Sequence, residues 1–146
     1  MDKRYLTPFE MSQIASQHAA CAHYLLQDNA EISLNGKDVV DTLTSFVSLM
    51  YLAFELTFKA YLLNQYNNNS HHKNLVELLE QCAELDLPAK DVQLIKKLSR
   101  QCSFRKGTDH EMWEDRQHLH VFCSEIVVLY ERIQEVMPLE LQKDYQ

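Results

Sequence analysis

Backbone punctuation is scarce in this chain. Across 146 residues, only Gly36 and Gly107 and the prolines Pro8, Pro88 and Pro138 interrupt regular structure. Glycine tolerates positive φ, and proline fixes φ and removes an N–H, so these residues mark where a chain turns. A turn-rich β fold needs such a signal roughly every 8 to 12 residues. The expectation is therefore an all-α, up-and-down bundle of about five helices. The hydrophobic share of 46% can build a core for one domain. That domain is expected to span residues 1–146, with a core over about 7–137. A tail carrying Glu140, Lys143 and Asp144 should fray after Pro138.

Capping signals and apolar spacing set the expected helices. Thr7 can cap the first, Pro8 suits its first position and Glu10 completes a capping box. Met11, Ile14, Ala15, His18, Cys21 and Leu25 then give it an inward face, fading near Asp28 and Asn29. A second, longer helix is expected over about residues 38–65. Leu43, Phe46, Val47, Met50, Phe54, Thr57, Phe58 and Tyr61 make it the spine of the core. Asn67, Asn68 and Asn69 end it. Ser70 should open a third helix with Leu75, Leu78, Leu79, Cys82 and Leu85 inward, closing at Asp86, Leu87 and Pro88. Pro88 restarts the chain into a fourth helix that buries Val92, Ile95, Leu98 and Cys102 and ends near Arg105 or Lys106. Gly107 is the stop, and Thr108 with Glu111 forms a second capping box. The fifth helix then buries Leu119, Phe122, Cys123, Ile126, Tyr130, Ile133 and Met137 before Pro138.

The same composition excludes several kinds of chemistry. Neither a G-x-G-x-x-G fingerprint nor a P-loop is present to cradle phosphates. Cys21, Cys82, Cys102 and Cys123 lie far apart without a C-x-x-C pair, so they read as buried free thiols. The apolar stretch over 46–63 carries Glu55 and Lys59, an i,i+4 pair suited to a half-buried helix and costly in lipid, so no membrane span is expected. The N-terminus lacks the apolar core of a secretory signal, which points to a cytoplasmic chain.

Residues 105–110 carry the chemistry. Arg105, Lys106, Gly107, Thr108, Asp109 and His110 set a permanent cation and a titratable imidazole five positions apart across an expected helix break. Arginine stabilises charge developing on a phosphate, and imidazole, with an unperturbed pKa of about 6.5, moves protons near neutrality. The N-terminal dipole of the fifth helix favours neutral His110, while Asp109, Glu111 and Glu114 pull the opposite way. The net charge of −7 opposes a polyanion. However, Lys96, Lys97, Arg100, Arg105 and Lys106 form a basic run with no acidic residue between positions 92 and 108, a local RNA-binding footprint.

Two further blocks frame this motif. Phe54, Glu55, Leu56, Thr57, Phe58, Lys59, Ala60, Tyr61, Leu62 and Leu63 form one, and residues 71–79, from His71 and His72 through Leu78 and Leu79, form the other. In this order and spacing the chain resembles the HEPN family of small helical bundles over roughly residues 9–137, with Arg105 and His110 at the family's Arg-x(4 to 6)-His signature. The resemblance implies metal-independent endoribonuclease activity in a toxin or defence setting, with no cofactor. Single-stranded RNA would be the substrate. Arg105 and His110 would be catalytic in a cleft formed by a homodimer, and a nucleotidyltransferase-type antitoxin would be a candidate partner. Lys106 follows the arginine where the family often has asparagine. Met112 stands where some members carry a modifiable tyrosine, so that regulation is not expected. A non-catalytic binding or dimerisation module is the alternative.

Other groupings read more simply. His110, Glu114 and His118 share a helical face without the H-E-x-x-H spacing, so a solvated face is favoured over a metal site. His118 and His120 point to different sides of a helix. His71 and His72 read as a helix start, and Trp113 as a packing or interface residue. Glu111, Glu114 and Asp115 read as first-turn dipole partners.

Overall fold

The computed structural model describes residues 5–27, 31–34, 38–67, 71–102 and 116–142. Five α-helices among them form an all-α bundle: α1 (Pro8–Gln27), α2 (Thr42–Tyr66), α3 (Leu75–Gln81), α4 (Ala89–Gln101) and α5 (Arg116–Val136). Short 3-10 turns follow α3 at Ala83–Leu85 and α5 at Leu139–Leu141.

The capping box at the first helix forms as the sequence requires. The Glu10 N–H donates to Thr7 Oγ1 at 3.1 Å, and the Thr7 N–H donates to Glu10 Oε1 at 3.0 Å. Two N–H groups that the helix cannot satisfy internally are thereby paired. The buried face of α1 is rotated from the expected one. Ser12, Ala15, Ala22 and Leu26 are buried, Ala19 packs beside them, and Cys21 is exposed. Small residues at helical spacing let α1 lie close on α2, its most extensive neighbour. Close approach outweighs the bulk of Met11, Ile14 and Leu25, which are only half-buried.

The second helix starts later than expected. Residues 38–41 form β2 (Asp38–Asp41), paired antiparallel with β1 (Glu31–Leu34) in the register Glu31 to Asp41, Ile32 to Val40, Ser33 to Val39 and Leu34 to Asp38. β-branched Ile32, Val39 and Val40 suit a strand better than a helix start. From Thr42 onward α2 is the expected spine. Leu43, Phe46, Val47, Met50, Phe54, Thr57, Phe58 and Tyr61 are all buried. Phe54 stacks with Phe58 at 6.1 Å between centroids and meets Tyr130 edge-on at 5.4 Å. By length and composition α2 is the one helix among the described residues able to cross a membrane, and 56% of its apolar window is buried inside the bundle. Asn67 ends it with φ 51°, its N–H donating to the Leu63 carbonyl at 3.0 Å.

Two boundaries move for identifiable reasons. The α3 cap is Asn74, whose Oδ1 accepts from the Glu77 N–H at 3.0 Å, while Glu77 Oε2 accepts from the Lys73 N–H at 2.7 Å. Ser70, the expected cap, lies outside the described residues. The chain after Pro138 does not fray where described. Leu141 is 2% exposed, and its carbonyl accepts a 2.7 Å bond from the buried Ser12 hydroxyl. Asn64 Nδ2 also donates to Glu140 Oε1 at 3.3 Å. A polar-looking tail with apolar Leu141 is thus docked on α1.

Candidate functional site

The amphipathic pattern of α4 decides which of its cations meet solvent. Ile95, Leu98 and Ser99 are buried together with Asp91, and Val92 is half-buried, while Lys90, Lys96, Lys97 and Arg100 are exposed. Lys96 and Arg100 are one turn apart on the same side, so three of the expected RNA-binding residues share one exposed surface. Arg100 lies in the last turn, where the negative end of the helix dipole favours a cation.

This basic helix is anchored to α5 at two points. Arg132 Nη2 donates to Asp91 Oδ1 at 2.6 Å, with the carboxylate nearly buried and the guanidinium half exposed. Lys97 Nζ lies 5.5 Å from the centroid of the Phe122 ring, within the range of a cation–π contact. Its ammonium is therefore directed across the surface toward α5.

The end of α4 is fixed on α2. The helix closes at Gln101, earlier than expected, with Cys102 as its cap. The Cys102 thiol donates to the Val47 carbonyl at 3.6 Å, and burial pushes its pKa up to about 12. Tyr51, on α2, accepts the Leu75 N–H at 3.1 Å, and burial raises its phenol above the ordinary value. A protonated thiol and a neutral phenol therefore line this junction.

Arg105, Lys106 and His110 lie outside the described residues, as do Trp113, Glu111, Glu114, Asp115 and the expected start of the fifth helix at Thr108. What is described is the frame on both sides of them: α4 up to Gln101, and α5 from Arg116. On α5, His118 is exposed and His120 half-buried, as their spacing requires. Among the described residues, no group of three His, Cys, Asp or Glu side chains is arranged to hold a metal.

Sequence reasoning missed a second polar cluster. Glu55 pairs with Lys59 at 3.8 Å, the expected i,i+4 partner, but its other oxygen meets His72 Nε2 at 3.1 Å. His72 Nδ1 is buried without a partner. With its proton on Nε2, the imidazole donates to Glu55 and ties the segment before α3 to α2. Two residues 17 positions apart give no periodic signal, so this contact was not legible. The Asp91 to Arg132 link was hidden for the same reason.

No family model matches the chain, and no curated protein and no solved structure matches it.

Proposed function

We propose that this protein is a metal-independent endoribonuclease acting on single-stranded RNA, with Arg105 and His110 as the catalytic pair. The observation that carries this reading is the exposed basic surface of α4, Lys96, Lys97 and Arg100, which leads into the segment holding both residues. Phosphates drawn to that surface would be delivered beside a guanidinium and an imidazole. His110 would move the proton of a ribose 2′-hydroxyl or that of the leaving 5′-oxygen, and Arg105 would stabilise the phosphorane as charge accumulates. The bond formed is 2′-O to phosphorus and the bond broken is phosphorus to 5′-O, leaving a 2′,3′-cyclic phosphate and a 5′-hydroxyl.

The resemblance to HEPN domains is in keeping with the same chemistry, in what would be a toxin or defence setting. A homodimer would build the cleft by bringing two copies of the motif together across a two-fold axis. A nucleotidyltransferase-type antitoxin would be the partner that restrains it. Binding tests the surface. Replacing Lys96, Lys97 and Arg100 by alanine should weaken single-stranded RNA and flatten the dependence of log Kd on log salt by about 2, at roughly 0.7 per lost phosphate contact. Cleavage tests the chemistry, since a single 2′-deoxy nucleotide in the RNA should block scission at that linkage.

A second reading rests on α5, where Val121 and Val128 are each 51% exposed and two turns apart. Such a pair on one helical side suits contact with another chain, so a non-catalytic binding or dimerisation module is the alternative. In that case Val121→Asp would split a dimer, and wild-type protein would bind RNA without cutting it.

A further inference from the structure

The spine helix α2 is apolar on more sides than its own bundle needs. Phe46, Met50 and Phe54 are fully buried on one side. On the other side Leu49, Leu52, Leu56, Lys59, Leu63 and Tyr66 follow one another at alternating spacings of three and four residues. That alternation is the seam along which one helix packs on another, with each side chain entering the facing helix. The seam is incompletely covered. Leu52 is 41% exposed and Tyr66 47%, while Leu49, Leu56 and Leu63 are half-buried. A helix that is apolar all round is ordinarily enclosed all round, yet only 56% of the apolar window of α2 is buried.

Two charges at the middle of the seam select what can cover it. The Lys59 side chain is 34% exposed, and its ammonium stands 3.8 Å from Glu55 Oε1, too far for a hydrogen bond. Glu55 flanks the seam and is held there by His72, which meets its other oxygen at 3.1 Å. A lipid surface would strip water from both charges at a cost. A second copy of α2 running parallel would set Lys59 against the partner's Lys59. Running antiparallel, it sets the four-carbon stem of Lys59 over the partner's Leu56 and its ammonium beside the partner's Glu55. The two-fold axis then repeats the same contact in the other direction, so the seam is complementary to itself.

We propose that a second copy of this chain covers the seam, with α2 lying antiparallel on the partner's α2. Leu52 packs against the partner's Leu63, Leu56 against the partner's Lys59, and Leu49 against the partner's Tyr66. Glu55 and Lys59 form crossed ion pairs on both sides of the axis. The exposed valines of α5 stay outside this contact, because α5 meets the buried side of α2 through Tyr130 and Phe54. This interface deepens the homodimer of the proposed function and rests on that reading for the assembly alone, not for its RNA chemistry.

Sedimentation equilibrium of the full chain tests it. Wild type should show twice the mass of one chain, and Leu52→Glu should raise the dimer dissociation constant by about tenfold or more, as the loss of one buried leucine implies. Val121→Asp should leave the mass unchanged. Lys59→Glu and Glu55→Lys should each weaken the dimer by setting like charges across the axis, and an equal mixture of the two variants should pair again. That rescue distinguishes a lost contact from a folding defect. For the register, in a Cys21→Ser background, Leu52→Cys mixed with Leu63→Cys should cross-link on oxidation. Leu52→Cys alone should not, since its two copies would lie about 16 Å apart along the helices. A monomeric wild type, with or without affinity for lipid vesicles, would overturn the proposal, as would a dimer split by Val121→Asp and not by Leu52→Glu, or a mixture that fails to pair. Cleavage is read separately: a monomer that cuts RNA refutes this interface and leaves the chemistry, and a dimer of this register that cuts nothing does the reverse.

Discussion

The seam between α1 and α2 is an extended apolar contact, whereas the link between α4 and α5 is made by a few long polar side chains. The first is made of Ala15, Ala19, Ala22 and Leu26 lying on a largely apolar helix, with Thr7 and Glu10 closing its end. The second joins a strongly two-sided helix to its neighbour through Asp91 with Arg132 and Lys97 over Phe122, and leaves the cations of α4 facing solvent. Apolar burial responds little to moderate sodium chloride, whereas exposed charge contacts are screened by it. The difference separates labour: one seam supplies stability, and the other keeps a charged surface available.

The largest effect should come from the apolar core that α2 carries, here where it meets α5. Phe54→Ala removes a fully buried ring that stacks on Phe58 and meets Tyr130, and should cost about 3–5 kcal/mol in urea denaturation, equally at low and high salt. A loss near 1 kcal/mol, or one that varied with salt, would break the comparison.

Next comes the polar side. Arg132→Met strips the nearly buried Asp91 carboxylate of its partner and should cost about 1–3 kcal/mol. The penalty stays below that of a fully buried pair because Arg132 is 52% exposed and water can reach it. The double variant with Asp91→Asn should recover part of this loss in the same titration.

A third prediction concerns alkali. Burial pushes the Cys82 and Cys102 thiols from 9.0 up to about 12, so both stay protonated in the folded chain where they would ionise in the unfolded one. The unfolded state then binds fewer protons, and stability falls as pH rises. The contribution is complete below pH 9 and is lost progressively between about 9 and 12. Urea midpoints measured from pH 8 upward should therefore drop, and Cys82→Ala with Cys102→Ala should flatten the slope. At pH 8 exposed Cys21 should react first with a thiol reagent, ahead of buried Cys82 and Cys123.

The smallest effect is local. Thr7→Ala removes one side of the capping box and should cost about 1 kcal/mol, with no change in RNA binding.

Where a feature rests on helical spacing or a helix-start signal, the sequence was sufficient. The Thr7 and Glu10 box, the inward stripes of α2 and α5, the restart at Pro88 and the Glu55 with Lys59 pair all depend on spacings of three or four, which periodicity reveals. The rotated face of α1 was missed because hydrophobicity ranked Met11, Ile14 and Leu25 above alanine, while close packing selects small side chains. The β1 and β2 hairpin was missed although Asn35 and Gly36 stand between Ile32 and the pair Val39 and Val40, a recognised hairpin signal. Long-range partners such as Asp91 with Arg132, Glu55 with His72 and Ser12 with Leu141 carry no local mark at all. Of the candidate site, the solvent-facing cations of α4 were readable from their alternation with Ile95 and Leu98. The uncovered seam of α2 was not, since a helix that is apolar on every side does not say which side its own bundle leaves bare.

The proposed activity is tested most directly by the ends of the RNA it leaves. Wild-type protein incubated with single-stranded RNA in excess EDTA should yield 2′,3′-cyclic phosphate and 5′-hydroxyl termini, and His110→Ala should yield none while its helical circular dichroism matches wild type. Intact RNA after prolonged incubation with the assembled protein, or equal cleavage by His110→Ala, would contradict it.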